Sequence, residues 1–496
     1  MDFWFDLDRQ APRGLQNQLK DKISRAIIEG QIAPNTTMPA SRRLAQQLGV
    51  SRNTVVLAYA ALQDDGYLIS RERSGFFVNP EIRENVVSID YTPPPVNSDR
   101  NRGHDWREKL VLQASKERHI VKPANWRDFK YCFIYGQLDW KIFPVQHWRE
   151  CWRDAVGVRE INDWSQDMID RDDPVLTAQI RDRLLPRRGL WVDEAQILVT
   201  TGAQNALYIA LRLLLNTQKC FGIEEPGYPD ARNIARMFTD KVVPLPVDKD
   251  GLIVGPHLAQ CDIIFTTPSY QSPTTVTLSE TRRRQLLQAA QDYDFLIIED
   301  DYEAGTNYMG RPLPALKAMD ANDRVIYISS LSKTLAPGLR LGYLVGADPF
   351  IREARVLRRL IMRHPASNNQ RAAAYFLARG HHESLLRNLL RAKKRKRQIL
   401  LDCLEKYLPA WQIAENHGGS SLWITGPKDL NARVLAQACE DIGVLIEPGN
   451  VHFMSDNRPR NHLRLGYASI FADDIEDGVK LIAQSAQKLN IAVNVD

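Results

Sequence analysis

From about residue 126 onward, short apolar runs alternate with amphipathic segments, and this alternation constrains the fold more than any other feature of the sequence. The runs are apolar throughout, so the strands they predict are buried on both faces. Sheets of that kind are mostly parallel and are covered by helices, which predicts a large α/β domain over residues 126–496. The clearest strands are predicted at residues 197–200, 220–223, 241–245, 262–266, 295–300, 325–328 and 341–345.

A helix-turn-helix followed by a β-hairpin is predicted within residues 1–80. Apolar side chains recur there at helical spacing, and two of the helices are short and joined by a tight turn that contains Gly49. Two apolar runs then flank a basic turn, which is typical of a hairpin. The helices are predicted at residues 15–28, 42–48 and 52–64, and the strands at residues 67–69 and 75–78.

Length and composition set the outer limits. A chain of 496 residues is too long for one ordinary domain, and the polar, proline-marked residues 81–125 are predicted to be a linker. The net charge of +5 permits nucleic-acid binding without demonstrating it. The six cysteines have no metal or redox spacing, so we expect reduced thiols, a cytoplasmic protein and no metal site. Neither a membrane span nor a signal peptide is predicted.

The third predicted helix begins with residue types that suit DNA reading. In a helix-turn-helix the first residues of the second helix meet base edges, and Arg52, Asn53 and Thr54 fit that role. The side chains of Ser51, Asn53 and Thr54 can also bind phosphates. The alternative interpretation is a module for protein contacts, in which Ser41 and Ser51 only cap helices.

Residues 11–80 resemble the GntR family of winged-helix regulators. The segments that carry the resemblance are residues 39–45, 50–55, 59–68 and 74–78. The resemblance implies contacts with double-stranded operator DNA at Arg42, Arg52, Asn53 and Thr54, and in the wing near Gly75. A single module of this size binds weakly at physiological salt, so a dimer is expected.

A second signature lies at residues 330–343, which supply an amine, neighbouring hydroxyls and a guanidinium. A cofactor that carries an aldehyde and a phosphate needs this set. Lys333 would form the Schiff base, and Arg340, with Ser330 nearby, would bind the phosphate. The alternative for Lys333 is an ordinary surface lysine.

The phosphate site is predicted to extend to Gly202, Ala203 and Gln204. These residues follow a predicted strand and open a helix, where backbone N–H groups and the helix dipole favour an anion. Taken alone, this turn is also compatible with a plain loop between strand and helix. Together with Lys333 and Arg340 it predicts a site for pyridoxal phosphate.

Three further residues are predicted to hold the cofactor ring. Asp300 ends an apolar strand, and a buried carboxylate there would keep the pyridine nitrogen protonated. Tyr302 would hydrogen-bond the ring hydroxyl, and Tyr228 would stack on the ring. In the alternative interpretation, Tyr228 packs on the core and Asp300 is a helix cap or a surface acid. We expect the next residue, Asp301, to be such a cap or surface acid.

These residues, with the segment 461–467, resemble the fold type I pyridoxal-phosphate aminotransferases across residues 126–490. The resemblance implies that Arg464 grips a carboxylate of the bound compound, although an ion-pair role within the protein stays open. Two segments depart from the family pattern. Tyr270 and Thr275 replace family residues and are expected to change the wall beside the cofactor, and residues 166–173 replace a Tyr-Gly stretch.

The two resemblances in this order look like the MocR/GabR-type regulators, which implies a transcription regulator and a homodimer. We expect it to sense an amino acid, an amine or pyridoxal phosphate itself through aldimine chemistry at Lys333. The rivals are a working aminotransferase that carries a DNA-binding domain, and a repressor whose large domain binds no cofactor. Residues 391–397 are strongly basic and are interpreted as a solvated helix face, with a DNA-phosphate strip as the alternative.

Overall fold

The computed structural model describes residues 5–83, 106–310, 312–415, 418–455 and 457–494. The chain divides into two compact units, residues 1–108 and residues 109–496. Residues 84–105, the central part of the linker predicted at residues 81–125, lie outside the described residues. The second unit begins at Lys109, inside the predicted linker, so residues 109–125 belong to the larger unit.

The first unit has the helices and the hairpin expected from the sequence. Its elements are α1 (Leu15–Ile28), α2 (Ser41–Leu48), α3 (Arg52–Asp64), β1 (Leu68–Arg71) and β2 (Gly75–Val78). Helix α2 starts one residue earlier than predicted, with Ala40 at its N-cap, so Ser41 is not the cap. Ser51 does cap α3, because its side chain accepts a hydrogen bond from the backbone N–H of Thr54 at 3.1 Å.

A small apolar core holds this unit together. Leu19 and Ile23 of α1 pack with Leu44 of α2 and Val55 of α3, and all four are fully buried. Removing side chains of this size from water is the main favourable contribution to folding. The core leaves the first turn of α3 on the surface, which positions its polar side chains for a partner.

The second unit is built on strands and helices that alternate along the chain. The strands are β3 (Tyr131–Cys132), β4 (Ile197–Thr200), β5 (Phe221–Glu225), β6 (Val242–Asp248), β7 (Gly251–Leu252), β8 (Ile263–Thr266), β9 (Leu296–Asp301), β10 (Val325–Ser330), β11 (Gly342–Val345), β12 (Gln412–Ile413), β13 (Ser421–Thr425), β14 (Val444–Leu445), β15 (Glu447–Pro448) and β16 (His462–Gly466). The helices are α4 (Val145–Ala155), α5 (Val158–Trp164), α6 (Pro174–Gln179), α7 (Ala203–Leu214), α8 (Pro229–Arg236), α9 (Glu280–Asp292), α10 (Asp348–Met362), α11 (Ser367–Ala378), α12 (His381–Tyr407), α13 (Ala432–Glu440) and α14 (Ile475–Lys488).

Within the described residues, the large sheet has eight strands in the order β4-β11-β10-β9-β8-β5-β6-β7. Neighbours from β10 to β6 are parallel, whereas β11 runs antiparallel to both β10 and β4. The carboxyl ends of β4, β5, β9 and β10 therefore lie along one edge. Ligands of open α/β sheets bind at such an edge.

Helices cover both faces of this sheet, as the apolar runs predict. Along β4, Leu198 packs into one core, while Ile197 and Val199 pack into another on the opposite face. Alternation of side chains between the two faces of a strand produces this arrangement. The fold class predicted from the sequence, a mostly parallel α/β domain after a winged helix-turn-helix, is confirmed.

A second sheet, of order β12-β13-β16-β15, was not predicted from the sequence. Its strands are short and lie between α12 and α14, so their apolar residues do not form long runs. Strand β16 carries Arg464 beside Glu447 of β15. In the part of the chain that the structure describes, no helix combines the length and apolarity needed to cross a membrane.

The basic stretch 391–397 lies on α12, but it is not uniformly solvated. Arg391, Lys394 and Arg395 are exposed, whereas Lys393 and Lys396 are buried. Lys396 forms an ion pair with Asp139 at 2.9 Å. The interpretation as a solvated face is therefore wrong for Lys393 and Lys396, which turn inward because helix geometry places them on the packed side of α12.

Candidate functional site

A cavity of about 310 Å³ lies at the carboxyl edge of the large sheet. It brings together all of the residues that the sequence predicts for the cofactor, although they are spread over more than a hundred positions. These residues are Ala203, Gln204, Tyr228, Asp300, Tyr302, Ser330, Lys333, Arg340 and Arg464, with Gly202 directly behind the guanidinium of Arg340.

Lys333 points its amine into this cavity. Its Nζ lies 4.4 Å from the centre of the Tyr135 ring. Burial lowers the pKa of Lys333 to about 7, with the nearby charge of Glu303 opposing the shift and those of Lys122 and Arg464 adding to it. A substantial fraction of this amine is therefore unprotonated near neutral pH, which is the form that attacks an aldehyde.

Asp300 and Asp230 are the acidic residues among the described residues that line the cavity, and Asp300 is the one predicted for the cofactor. It is 6 % exposed, and its Oδ1 has no hydrogen-bond partner among the described residues. Burial, together with the negative charge of Asp301, raises the pKa of Asp300 to about 8. A buried oxygen without a partner is costly, and a protonated ring nitrogen would satisfy it.

Asp301 has a different environment, although it is the next residue. The side chains of Asp300 and Asp301 leave opposite faces of β9, because successive strand residues alternate. Asp301 is 1 % exposed, and its Oδ2 accepts from Arg188 Nε at 2.6 Å and from Tyr327 Oη at 2.9 Å. Our expectation of a cap or surface acid at Asp301 is therefore wrong, since this carboxylate neutralises a buried arginine.

The turn at the N-terminus of α7 lies beside the cavity at Arg340. Gly202 caps α7 with φ of +98°, so the first backbone N–H groups of Ala203 and Gln204 are presented at the helix N-terminus. A Cβ on Gly202 would lie 3.0 Å from Arg340 Nη2, so a side chain there would press on the guanidinium. Arg340 donates to the carbonyl of Thr201 at 3.0 Å. This arrangement suits a phosphate group.

The predicted ring contacts line the middle of the cavity. Tyr228 is half-buried, and its hydroxyl donates to Asp230 Oδ2 at 3.2 Å. Tyr302 packs edge-to-face on Tyr135 with ring centres 6.2 Å apart. A flat aromatic ligand between Lys333 and Asp300 would meet these side chains.

Arg464 lines the cavity, but its guanidinium already has a carboxylate partner. It forms an ion pair with Glu447, and both side chains are about 95 % buried. His452 Nε2 lies 3.4 Å from the same oxygen of Glu447. Although burial acts in the opposite direction, the charge of Arg464 and the His452 hydrogen bond lower the pKa of Glu447 to about 2. The ion-pair alternative is thus present in the structure, and the role as a ligand anchor stays a prediction.

Several residues of the site were missed by the sequence analysis. Lys122 lines the cavity from residues that were assigned to the linker, and Tyr135 lies between the cationic ends of Lys333 and Arg464. A lysine in a polar segment gives no local signal of such a role. For Tyr135, the available hint was the apolar run 131–135 that follows the basic residue Lys130, because such a run predicts a strand entering the core.

The two departures from the family pattern lie outside the cavity wall. Tyr270 is buried but lines a neighbouring cavity of about 520 Å³, and Ser272 contacts the cofactor cavity instead. In the other segment, Asp172 pairs with Arg355 and Arg358. This part of residues 166–173 anchors α10 to the core.

The predicted DNA-reading side chains form part of the surface of the first unit. Arg42, Arg52 and Asn53 are exposed, and Ser51 and Thr54 join their hydroxyls at 2.8 Å at the start of α3. Their role in DNA contact stays a prediction. Helix α3 begins with these polar groups and buries Val55, Ala58, Tyr59 and Leu62 on one face, so the exposed groups of its first turn are free to meet a partner.

The hairpin that follows α3 carries two arginines and one glutamate at its turn. Gly75 has φ of +93° and Arg73 has φ of +60°, which are conformations that favour glycine and shape the tight turn. Arg71 lies over the Phe77 ring at 4.4 Å and donates to Asn35 at 3.0 Å. These contacts hold Arg71 against the hairpin, and both Arg71 and Arg73 are exposed.

Comparison with known proteins relates both units to characterised families. Residues 15–78 match the family of bacterial regulatory proteins called gntR, and residues 141–482 match aminotransferase class I and II. The HTH-type transcriptional regulator TauR of Rhodobacter capsulatus is 39% identical, covering 96% of this chain and 98% of the relative. The probable rhizopine catabolism regulatory protein MocR of Rhizobium meliloti is 30% identical, covering 95% and 94% of the two chains.

A solved structure with the same fold contains a relevant compound. The kynurenine aminotransferase of Pyrococcus horikoshii, in complex with PMP, is 25% identical with a TM-score of 0.68. The likeness covers 79% of this chain and 96% of that chain. The shared fold is that of the larger unit.

A gntR-type winged helix followed by an aminotransferase-like unit defines a class of transcription regulators that carry an enzyme-like effector domain. Pyridoxal phosphate is the cofactor of this aminotransferase fold. The unpartnered Asp300 oxygen fits its ring nitrogen, the Lys333 amine fits its aldehyde, and the turn at Gly202 fits its phosphate. The chain belongs to the MocR/GabR-type subfamily of GntR-family transcription regulators.

Proposed function

We propose that this regulator binds pyridoxal phosphate through Lys333, senses a small amino compound at the same cavity, and converts that event into a change in operator binding. The observation that carries the proposal is the joint placement of a low-pKa amine, an unpartnered buried carboxylate and an anion-binding turn around one cavity. Groups with perturbed pKa values that converge in a cleft are typical of functional sites.

The protein's residues divide the work of holding the cofactor. Lys333 supplies the amine, Asp300 keeps the ring nitrogen protonated, and Arg340, Ser330 and the N-terminus of α7 hold the phosphate. When bound, pyridoxal phosphate supplies an aldehyde carbon that reacts reversibly with amines. An amino compound therefore competes with Lys333, whose amine then becomes free to take up a proton and a new position.

The DNA side of the proposal rests on the exposed first turn of α3. Arg52 and Asn53 would read base edges, while Arg42, Ser51, Thr54 and the wing near Gly75 would position the unit on the backbone. We propose a homodimer, because two linked copies of the first unit are needed for tight binding to one operator. A regulator of chromosomal promoters works in the cytoplasm, where we place it.

Sensing requires that the cavity with the effector bound and the cavity without it favour different arrangements of the protein. An effector shifts such an equilibrium only by the difference in its affinity for the two states. The direct test is to titrate amino acids, amines and pyridoxal phosphate while recording visible absorbance and operator affinity on the same samples. A compound that changes both supports the proposal, and a spectral change that never alters operator affinity opposes it.

A working aminotransferase is the second candidate, because the same residues serve turnover in that fold. Steady-state transfer of an amino group to a keto acid at roughly 1–10³ per second would favour the enzyme. Single-turnover conversion without sustained product formation favours the sensor.

A further inference from the structure

The Tyr135 ring connects the amine of Lys333 to a buried acidic group. Lys333 Nζ lies 4.4 Å from the centre of this ring, which is close enough for a cation on the amine to be attracted to the ring face. The Tyr135 hydroxyl donates to Oε1 of Glu303 at 3.0 Å. Glu303 itself lines the neighbouring cavity of about 520 Å³. One aromatic side chain therefore separates the cofactor lysine from a carboxylate behind it.

The negative charge of Glu303 is held inside the protein by neutral groups. Glu303 is 2 % exposed, and besides the Tyr135 hydroxyl its contacts include Thr306 Oγ1, which lies 3.1 Å from Oε2. A Cβ built on Gly419 would lie 3.3 Å from the same oxygen, so this carboxylate is closely packed. Hydroxyl groups stabilise a carboxylate without cancelling its charge. In the interior that charge is weakly screened and acts on Lys333.

Several other charges face the same amine. They are the carboxylate of Asp300 and the cations of Lys122, Lys393 and Arg464. Burial lowers the pKa of Lys333 to about 7, the three cations act in the same direction, and the charge of Glu303 opposes them. The proposed function assigns Asp300 to the ring nitrogen of the cofactor. Glu303 is then the carboxylate of this group that remains for the lysine.

The charge of Glu303 matters most when Lys333 is released from the cofactor. As an incoming ammonium compound replaces Lys333, a C–N bond forms to the incoming nitrogen and the C–N bond to the lysine breaks. The hydrogens that the incoming nitrogen gives up are taken up by the lysine nitrogen, which leaves as an ammonium group, so atoms and charge balance. A buried ammonium group is costly unless an anion lies near it.

We propose that Glu303 is a positioning residue that stabilises the released Lys333 ammonium across the Tyr135 ring, and so favours transfer of the cofactor to an incoming amine. Lys393 of α12 competes for the same carboxylate, because its Nζ is buried, feels the charge of Glu303 and has no hydrogen-bond partner among the described residues. Substitutions of Glu303 and of Lys393 should therefore affect Lys333 in opposite directions. This inference rests on the proposed function, because it assumes that Lys333 holds the cofactor.

The first test uses full-length protein without cofactor. The rate at which an amine-selective acylating reagent labels Lys333 is followed by peptide mass analysis over a range of pH, and this rate follows the unprotonated fraction of the amine. Glu303→Gln should raise the rate about tenfold below about pH 6 and leave it unchanged above about pH 8, because loss of an opposite charge favours the neutral amine. Lys393→Met should slow the labelling in the acidic range.

The second test uses protein loaded with pyridoxal phosphate, with excess methylamine as the probe. Borohydride reduction followed by mass analysis gives the share of cofactor that stays on Lys333. Glu303→Gln should lower the equilibrium constant for transfer to methylamine by about tenfold near pH 5, and by nothing above about pH 8, where the released lysine is neutral. A purely structural role of Glu303 would change the transfer equally at every pH. Glu303→Asp keeps the charge and should restore most of the effect.

Glu299→Gln is the matched control. Glu299 is a fully buried glutamate of β9 that accepts hydrogen bonds from the backbone N–H groups of Leu316 and Lys317, both at 2.8 Å. Its substitution should leave the labelling rate of Lys333 unchanged. Unfolding temperature verifies that each variant is folded, and Lys393→Met tests the inference even if Glu303→Gln does not fold.

Equal labelling rates of Lys333 in wild-type protein and Glu303→Gln at acidic pH would overturn the inference, and so would faster labelling in Lys393→Met. Wild-type protein that keeps all of its cofactor on Lys333 in excess methylamine would also overturn it. A protein that takes up no pyridoxal phosphate at Lys333 would instead remove the proposed function, while the labelling rates of the cofactor-free protein would still report the influence of Glu303.

Discussion

Asp300 and Asp301 are neighbours in the chain, but β9 directs their carboxylates to opposite faces of the sheet. Asp300 presents an oxygen without a partner to the cofactor cavity, whereas Asp301 forms an ion pair with Arg188 at 2.6 Å. Two identical side chains therefore have different environments: Asp301 neutralises a buried arginine, and we propose that Asp300 binds the ligand. Matched substitutions at the two positions separate these tasks.

The first prediction concerns stability. Asp301→Asn leaves the buried guanidinium of Arg188 without its counter-charge, and breaking a buried pair in this way costs about 3–5 kcal/mol. Asp300→Asn removes no existing ion pair, so the unfolding free energy of the cofactor-free protein should not fall, while its affinity for pyridoxal phosphate should fall. Urea unfolding and cofactor titration measure the two effects. Equal losses of stability at both positions would contradict this division of roles.

The second prediction concerns pH. Burial and the charge of Asp301 raise the pKa of Asp300 from 3.8 to about 8. Because the folded pKa lies above the unfolded one, the folded state binds this proton more tightly. The stabilisation is fully present below about pH 4 and is lost as the pH rises through about 8.

As the pH rises from about 4 to about 8, the unfolding free energy of cofactor-free wild-type protein should therefore fall relative to that of Asp300→Asn. Above about pH 8 the difference between the two proteins should be constant. Urea unfolding at several pH values measures this difference. A flat difference between the two proteins from acidic to alkaline pH would show that Asp300 is not buried as an unpaired acid.

The third prediction concerns DNA reading. Arg52→Ala should weaken operator binding by about 1–3 kcal/mol if Arg52 contacts a base edge. Arg25→Ala is the matched control, because Arg25 is an exposed arginine of α1 that forms a surface ion pair with Glu29. Gel-shift or fluorescence titration at fixed salt gives both affinities. Equal affinities for the two variants would remove Arg52 from the interface.

The fourth prediction uses the basic stretch of α12. Lys396→Met leaves Asp139 buried without its partner and should destabilise the large unit by about 3–5 kcal/mol, whereas Lys394→Met on the exposed side should have little effect. Neutralising Arg391, Lys394 and Arg395 together should leave the salt dependence of DNA binding unchanged if they form a solvated face. A slope reduced by about one per residue would instead support phosphate contacts.

The sequence predicted the parts of the site that depend on local patterns. Lys333, Arg340 and Gly202 lie in turns next to long apolar strands, and Asp300 ends such a strand, so chain order alone places them at one edge of the sheet. The first unit could be predicted equally well from the sequence, because its helices have clear periodicity and start signals.

The remaining residues depend on contacts between distant parts of the chain. Lys122 lies in a polar stretch, and in the fold it lines the cavity and donates a hydrogen bond to the backbone carbonyl of Tyr135. Glu447 follows an apolar run, and its partner Arg464 becomes apparent only when β15 and β16 pair. The inward direction of Lys393 and Lys396 was hidden by the charge of their neighbours, because packing decides which side of a helix is buried.

The central claim is a covalent link between pyridoxal phosphate and Lys333 in a protein that binds DNA. The most direct measurement is borohydride reduction of the loaded protein followed by peptide mass analysis, with Lys333→Ala and Lys130→Ala treated in parallel. We predict one modified lysine, Lys333, in wild-type protein and in Lys130→Ala, and no visible absorbance in Lys333→Ala while its basal operator binding persists. A colourless wild-type protein, or an adduct on another lysine, would contradict the account.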